Sequence, residues 1–235
     1  MKQTSITKLS EVYNNLNALY NGEKIAHDYK SLANLIQQVI RAEAMTDAKK
    51  GKFNIFNYVA KDNLRPVMNG VFHNEGFKVA SDAHILVAIK EDYADDMEGK
   101  VLLPDGSFET SQVYPKWRSV IPKPDGYTAY QIDAQKFYDW LTERRTAYKT
   151  INGKGCKFQT EWCVKVGPAF FKAELFDRLL SAMDFCGATE LNVGSARKAA
   201  YAKTDMGICL LMPLIESETA LSASLTPHIC VEAVH

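Results

Sequence analysis

Hydrophobic positions recur along this chain with two different periods, and the change of period divides it. Between Ser5 and Tyr20, Ile6, Leu9, Val12, Leu16 and Leu19 return every three or four residues, and Asn21-Gly22 supplies a stop. That spacing predicts an amphipathic helix. Leu32, Leu35, Ile36, Val39 and Ile40 repeat the pattern over residues 28–45, with Asp28 or Ser31 as the cap. The basic stretch DAKKGK (47–52) closes this helical N-terminus. From residue 53 the texture turns to short β-rich runs between turn residues: RPVMNGVFH (65–73), EGFKVASD (75–82) and HILVAIKE (84–91). Residues 99–126 are rich in Pro and Gly and predict a strand or two leading into a linker, with Pro122, Pro124 and Gly126 marking a boundary.

Beyond that boundary the rhythm becomes regular. YTAYQIDAQKFYDWLTERR (127–145) predicts a strand running into an amphipathic helix, and CKFQTE (156–161) and WCVKVG (162–167) predict two strands. AFFKAELFDRLLSAMDFCG (169–187) is again strand into helix, followed by three strands, TELNVGS (189–195), KAAYAKTD (198–205) and GICLLMPLI (207–215). Asp133-Ala134 before QKFYDWL and Lys172-Ala173 before ELFDRLL hold equivalent places, so a β-α-β-β(-β) unit is used twice between residues 127 and 214. The pattern predicts an α+β fold, with antiparallel sheets, helices on one face and an extra helical N-terminus. The expected divisions are 1–122, the helical N-terminus with a partial domain; 123–214, the two repeated units; and 215–235, a small-residue-rich C-terminal extension.

Charge and cysteines narrow the function. Lys plus Arg equals Asp plus Glu at 28 each, so no global charge draws nucleic acid or membrane, although a local basic face remains compatible with that balance. The N-terminal MKQTSITKLSEVYNN lacks the apolar core of a signal peptide, and no run reaches membrane-spanning length. The five cysteines (156, 163, 186, 209 and 230) are odd in number and show no CxxC spacing, which predicts reduced, mostly buried thiols in a cytoplasmic protein without a membrane partner. No P-loop, GxSxG, GxGxxG or HExxH motif occurs. Asp82 and His84 share a strand face at i and i+2, which suits an acid–base pair, two metal ligands, or a turn residue beside a packed ring. No third ligand lies at metal spacing and His73 sits on a different strand, so the third reading outweighs the others. The expectation is therefore a protein with no catalytic residues, no metal and no cofactor.

RPVMNGVF and EGFKVASDAHILVA, then YPKWRSVIP (114–122), then ICLLMPL (208–214) carry a resemblance. They resemble, in the same order, three segments of the bacterial sliding clamp family, the beta subunit of DNA polymerase III: RPxLNGVLL with DGLxLVATDGHRLA, the interdomain FPDYRRVLP, and the C-terminal YVVMPMRL. The repeated β-α-β-β-β unit is also the building block of clamp domains. The likeness spans about residues 64–214. It implies a non-enzymatic replication or repair accessory protein that tethers a DNA polymerase or other proteins bearing clamp-binding motifs. In the family these segments line a peptide-binding pocket, and the positions that carry over are Met68, Ser81, His84, Leu86, Pro115, Val120, Leu210 and Met212. Leucine, methionine, valine and proline with a few polar edges suit the anchoring of an aromatic or leucine side chain, and methionines let a pocket adapt to several ligands. Core packing is an equal reading for Leu86 and Leu210. The family's Gly-His-Arg is Ala83-His84-Ile85 here, and its second linker arginine is Ser119 while Arg118 keeps the first.

A clamp that encircles double-stranded DNA touches phosphates through basic helices without reading sequence. Candidates for that role are Lys136, Arg144, Arg145 and Lys149 on the first repeat helix, Lys172 and Arg178 on the second, and Arg41, Lys49, Lys50, Lys52, Lys61 and Arg65 nearer the N-terminus. Asp133, Asp139, Glu143, Glu174 and Asp177 share the two helices and work against it. The chain holds about three β-α-β units where a clamp protomer has six, so a ring requires a homo-oligomer. The alternatives are a clamp-fold scaffold or decoy that binds proteins without encircling DNA, and, more remotely, a small enzyme using Asp82 and His84.

Overall fold

The computed structural model describes residues 53–152, 162–214 and 230–234, the last as backbone, together with Val12, Asn14 and Ile36. The expected N-terminal helices, Arg41, Lys49, Lys50, Lys52 and the CKFQTE strand lie outside the described residues, save that Val12, Asn14 and Ile36 are helical. The chain divides into two compact units, Met1–Ala80 with Asp92–Pro115, and Ser81–Glu91 with Lys116–His235.

The strands of the first unit are β1 (Val71–Asn74), β2 (Phe77–Ser81), β4 (Val101–Leu102) and β5 (Phe108–Glu109). They pair antiparallel in the order β2-β1-β4-β5. Glu75 and Gly76 both take positive φ (52° and 75°), which is what a two-residue hairpin turn between β1 and β2 requires. The turn is pinned by Glu98, whose carboxylate accepts from the Glu75 amide (3.1 Å) and the Asn74 side chain (3.2 Å). Tyr93 completes the cluster, donating to Glu98 (2.5 Å) and accepting from the Gly76 amide (2.9 Å). Gly70 sits where β1 and β4 approach closely: a Cβ there would lie 2.7 Å from the Leu102 carbonyl oxygen.

The second unit contains β3 (Ile85–Lys90), β6 (Thr128–Ile132), α1 (Ala134–Asn152), β7 (Cys163–Val166), β8 (Ala169–Lys172), α2 (Ala173–Phe185), β9 (Glu190–Val193), β10 (Ala200–Thr204), β11 (Gly207–Leu211) and β12 (Cys230–Val234). The repeat read from the sequence is visible as β6-α1-β7 and β8-α2-β9-β10-β11. Asp133 starts α1 by accepting from the Lys136 amide (2.9 Å), the reciprocal of an unsatisfied first-turn donor. Six strands form an antiparallel sheet in the order β12-β6-β9-β10-β11-β3, and β7 and β8 form a separate hairpin.

The core of this unit lies under α2, which buries Phe176, Leu179, Leu180 and Met183 and packs on β3, β7, β8 and β11. Phe137 of α1 meets Phe176 at 5.4 Å between ring centroids, and Phe171 of β8 meets it at 6.0 Å. Helices over one face of antiparallel sheet is the α+β architecture that the periodicity predicts. Among the described residues no helix is long and apolar enough to cross a membrane.

Gly207 opens β11 opposite Ile89, and a Cβ there would stand 2.5 Å from the Ala88 carbonyl oxygen and 3.2 Å from the Cys186 sulfur. Backbone cannot yield as a flexible side chain does. Gly207→Ala is therefore expected to destabilise the protein by roughly 1–3 kcal/mol, through overpacking against the β3 backbone. The check is a lower urea midpoint at unchanged slope; an unchanged midpoint would contradict this packing.

Candidate functional site

Four of the residues singled out from the sequence fall on one face of one ladder. In the β3–β11 register Leu86 stands directly opposite Leu210, and the Met212 amide donates to the His84 carbonyl (2.8 Å), extending the ladder by one residue. Because alternate residues share a face, His84, Leu86, Leu210 and Met212 lie together. The alternate set of β11 includes Gly207 and Cys209, and the α2 side is identified by Cys186, the residue capping α2, whose sulfur lies 3.2 Å from where a Gly207 Cβ would stand. The four therefore sit on the face turned away from α2. Leu86 and Leu210 are buried, whereas His84 is exposed and Met212 is 42% exposed. The result is an apolar floor with a part-exposed thioether and an imidazole at its edge.

Tyr201 belongs to the same floor and was not singled out in the sequence. It pairs opposite Leu210 from β10, is buried, and meets Tyr127 edge-on at 5.2 Å. Burial raises the Tyr201 phenol above its ordinary pKa, and Tyr127 is raised by burial first and by Tyr201 second. The signal for Tyr201 was present in the alternation of KAAYAKTD, but only the strand pairing reveals its opposite number.

The edge of this face is built by the turn Ser81–Ile85. Asp82 Oδ1 accepts from the amides of His84 and Ile85 (3.0 Å each), and the Asp82 amide donates to the Ile85 carbonyl (3.2 Å). The Ser81 hydroxyl, itself buried, donates to the Ile85 carbonyl (2.9 Å) and accepts from the Ala83 amide (3.2 Å). Oδ2 of Asp82 receives Arg178 Nη1 at 2.6 Å. Both carboxylate oxygens are thus engaged, one with the turn and one with Arg178, in keeping with the turn-forming role read from the sequence. Ala83 adopts φ 73°, the left-handed region that favours glycine.

The remaining pocket candidates are placed separately. Val120 closes the helical turn Trp117–Val120 of the second unit and is 55% exposed, while Trp117 is buried with Arg118 4.3 Å over its ring. Met68 and Pro115 belong to the first unit. Met68 is buried in the helical turn Pro66–Asn69, and its carbonyl accepts from the Ala60 amide (2.9 Å). Pro115 is exposed and follows Tyr114, which is buried and stacked on Phe72 at 4.6 Å with its phenol pushed up by burial.

The basic candidates fare unequally. Arg65 is paired with Asp62 (2.8 Å), Arg145 with Asp177 (3.6 Å) and Arg178 with Asp82 (2.6 Å). Burial raises the Asp177 carboxyl, an effect that Arg145 opposes. Lys61, Lys136 and Lys149 are exposed, and Arg144 and Lys172 are half-buried. On α1 four basic side chains face two acidic ones, but on α2 a single arginine faces Glu174, Asp177 and Asp184. The charge on the helices is mixed. Among the described residues no group of three or more His, Cys, Asp or Glu is arranged to hold a metal.

No protein-family model matches the sequence, and no curated protein matches it. Solved structures do. The DNA polymerase III subunit beta from Pseudomonas aeruginosa aligns with a TM-score of 0.50 at 12% identity, covering 76% of this chain and 65% of that one. A DNA polymerase III beta subunit from Eubacterium rectale aligns at 0.48 and 15% identity, covering 77% and 64%, and the Bacillus subtilis sliding clamp at 0.42 and 14%, covering 78% and 63%. The chain spans under two thirds of the length of these structures. At such identities the likeness is one of fold, and the fold is that of the DNA polymerase III beta subunit.

Because Ala83 occupies a left-handed backbone position, Ala83→Gly is expected to stabilise the protein by roughly 0.5–1 kcal/mol, the relief of left-handed strain less the entropy of a glycine. Thermal unfolding measures it. A lower melting temperature would mean that the Ser81–Ile85 turn is not strained there.

Proposed function

We propose that this protein is a non-enzymatic tether on the clamp fold, which captures short apolar segments of partner proteins on the β3–β11 face of its second unit. The observation that carries this reading is the pairing of an exposed His84–Met212 edge with a buried Leu86–Leu210 floor. Buried leucines supply a preformed apolar base, and an unbranched thioether at the rim adapts to different side chains. The partners are a DNA polymerase or other replication and repair proteins carrying clamp-binding motifs, which present leucine or aromatic anchors. Ser81 belongs to the site through its hold on the turn, and Val120 of the same unit is its remaining proposed member. The site of action is the cytoplasm, in keeping with the buried thiols of Cys163, Cys186 and Cys209.

The mixed helix charge favours a scaffold that binds proteins over one that depends on encircling DNA. A second reading, a homo-oligomer around double-stranded DNA, draws support from the basic excess of α1, through Lys136, Arg144 and Lys149. Light scattering together with retention on covalently closed circular DNA separates the two. The scaffold reading expects a low oligomer and no salt-resistant retention; retention that is lost on linearising the circle would establish encirclement instead.

For the peptide site itself, the expected result is that a short peptide with leucine and phenylalanine anchors binds the wild-type protein. Met212→Asp should weaken that binding at least tenfold with the melting temperature unchanged, since the side chain is 42% exposed. Titration calorimetry with thermal unfolding as the control measures both, and unchanged affinity in Met212→Asp would refute the assignment.

A further inference from the structure

Arg178 lies on α2, on the opposite side of the β3–β11 ladder from the proposed peptide surface, yet its hydrogen bonds lead to that surface. We infer that Arg178 is a positioning residue for the peptide site, acting through Asp82; this rests on the peptide-binding reading given above. The path is short and continuous. Arg178 Nη1 donates to Asp82 Oδ2 at 2.6 Å, with the two side chains only 26% and 18% exposed. The other oxygen of the same carboxylate accepts from the amides of His84 and Ile85 at 3.0 Å. The His84 carbonyl in turn accepts from the Met212 amide at 2.8 Å. One carboxylate thus spans a helix and a turn, and the turn's own carbonyl places the methionine.

Two features make the guanidinium matter. The turn it steadies contains Ala83 at φ 73°, a conformation an alanine leaves readily when constraints are removed. A charge-assisted bond in a partly buried setting is also shorter and stronger than a neutral one, and its loss strands the partner. The helix end of the path is firm, because Arg178 is followed by the buried Leu179 and Leu180. Arg178 therefore transmits the fixed position of α2 to the His84–Met212 rim. It is a basic helix residue employed inward, in place of the phosphate contact its charge suggests.

The test has two arms on the full chain. In the first, backbone amide exchange at His84, Ile85 and Met212 is compared between wild type and Arg178→Ala. At least a tenfold rise at these amides is expected, with the β1 and β4 amides of the first unit unchanged; equal exchange at His84 and Ile85 overturns the inference whether or not a peptide binds. In the second, the leucine- and phenylalanine-bearing peptide is titrated into Arg178→Ala, Asp82→Asn and the double variant. Each single change should weaken binding about tenfold, the double variant should lose no more than either, and Arg178→Lys should recover part of the loss. Wild-type affinity in Arg178→Ala overturns the inference while leaving the peptide site intact. Failure of the wild-type protein to bind sinks the peptide site, and the exchange arm alone then decides whether Arg178 holds the turn.

Discussion

The antiparallel pairing of β3 with β11 is the contact on which the second unit depends. It joins residues 85–89 to residues 207–211 in unbroken register, from Ile85↔Leu211 to Gly207↔Ile89. Closing a contact of that sequence separation is entropically expensive, and the return comes from a double-sided apolar ladder. One side packs under α2; the other carries Leu86 and Leu210. A glycine at residue 207 lets the two backbones meet at one end. At the other end, the Ser81–Ile85 turn supplies hydrogen bonds that hold the ladder's last rung, the Met212 amide on His84. The candidate site is thus the outer face and free end of the same element that organises the core.

This arrangement gives the Asp82-His84 pair of the sequence a place in a turn. An aspartate at the first corner of a tight turn accepts from amides two and three residues on, a local geometry that any Asx-type turn exploits. Here the remaining oxygen is taken by an arginine from a helix far along the chain, so both carboxylate oxygens are engaged. His84 keeps its ring exposed and contributes its carbonyl to the ladder. The chemistry of the stretch is geometric. It shapes an edge.

Much of the fold was legible because its signals are local. The period-3.6 runs of QKFYDWL and ELFDRLL gave α1 and α2, and alternation bounded by Gly and Asp gave β9, β10 and β11. The chain passes between its two units after Ala80, after Glu91 and after Pro115. What the sequence could not deliver was long-range. Nothing in DAHIL points to Arg178, 96 residues away, so that arginine reads as one more surface cation until the ion pair is seen. The same holds for Arg145 with Asp177 and for Tyr201 opposite Leu210. Pairing across elements makes Arg178 and Tyr201 parts of the site's support, while Arg145 stays in a part-exposed ion pair.

The most direct measurement of the central claim is a methyl NMR titration of the protein labelled at its seven methionines, using the leucine- and phenylalanine-bearing peptide. Met212, at the rim, and Met183, a buried residue of α2 on the opposite side of the sheet, report from the two faces of one unit. The account predicts a saturable shift of the Met212 methyl with Met183 unmoved. Binding that shifts Met183 and leaves Met212 in place would contradict it.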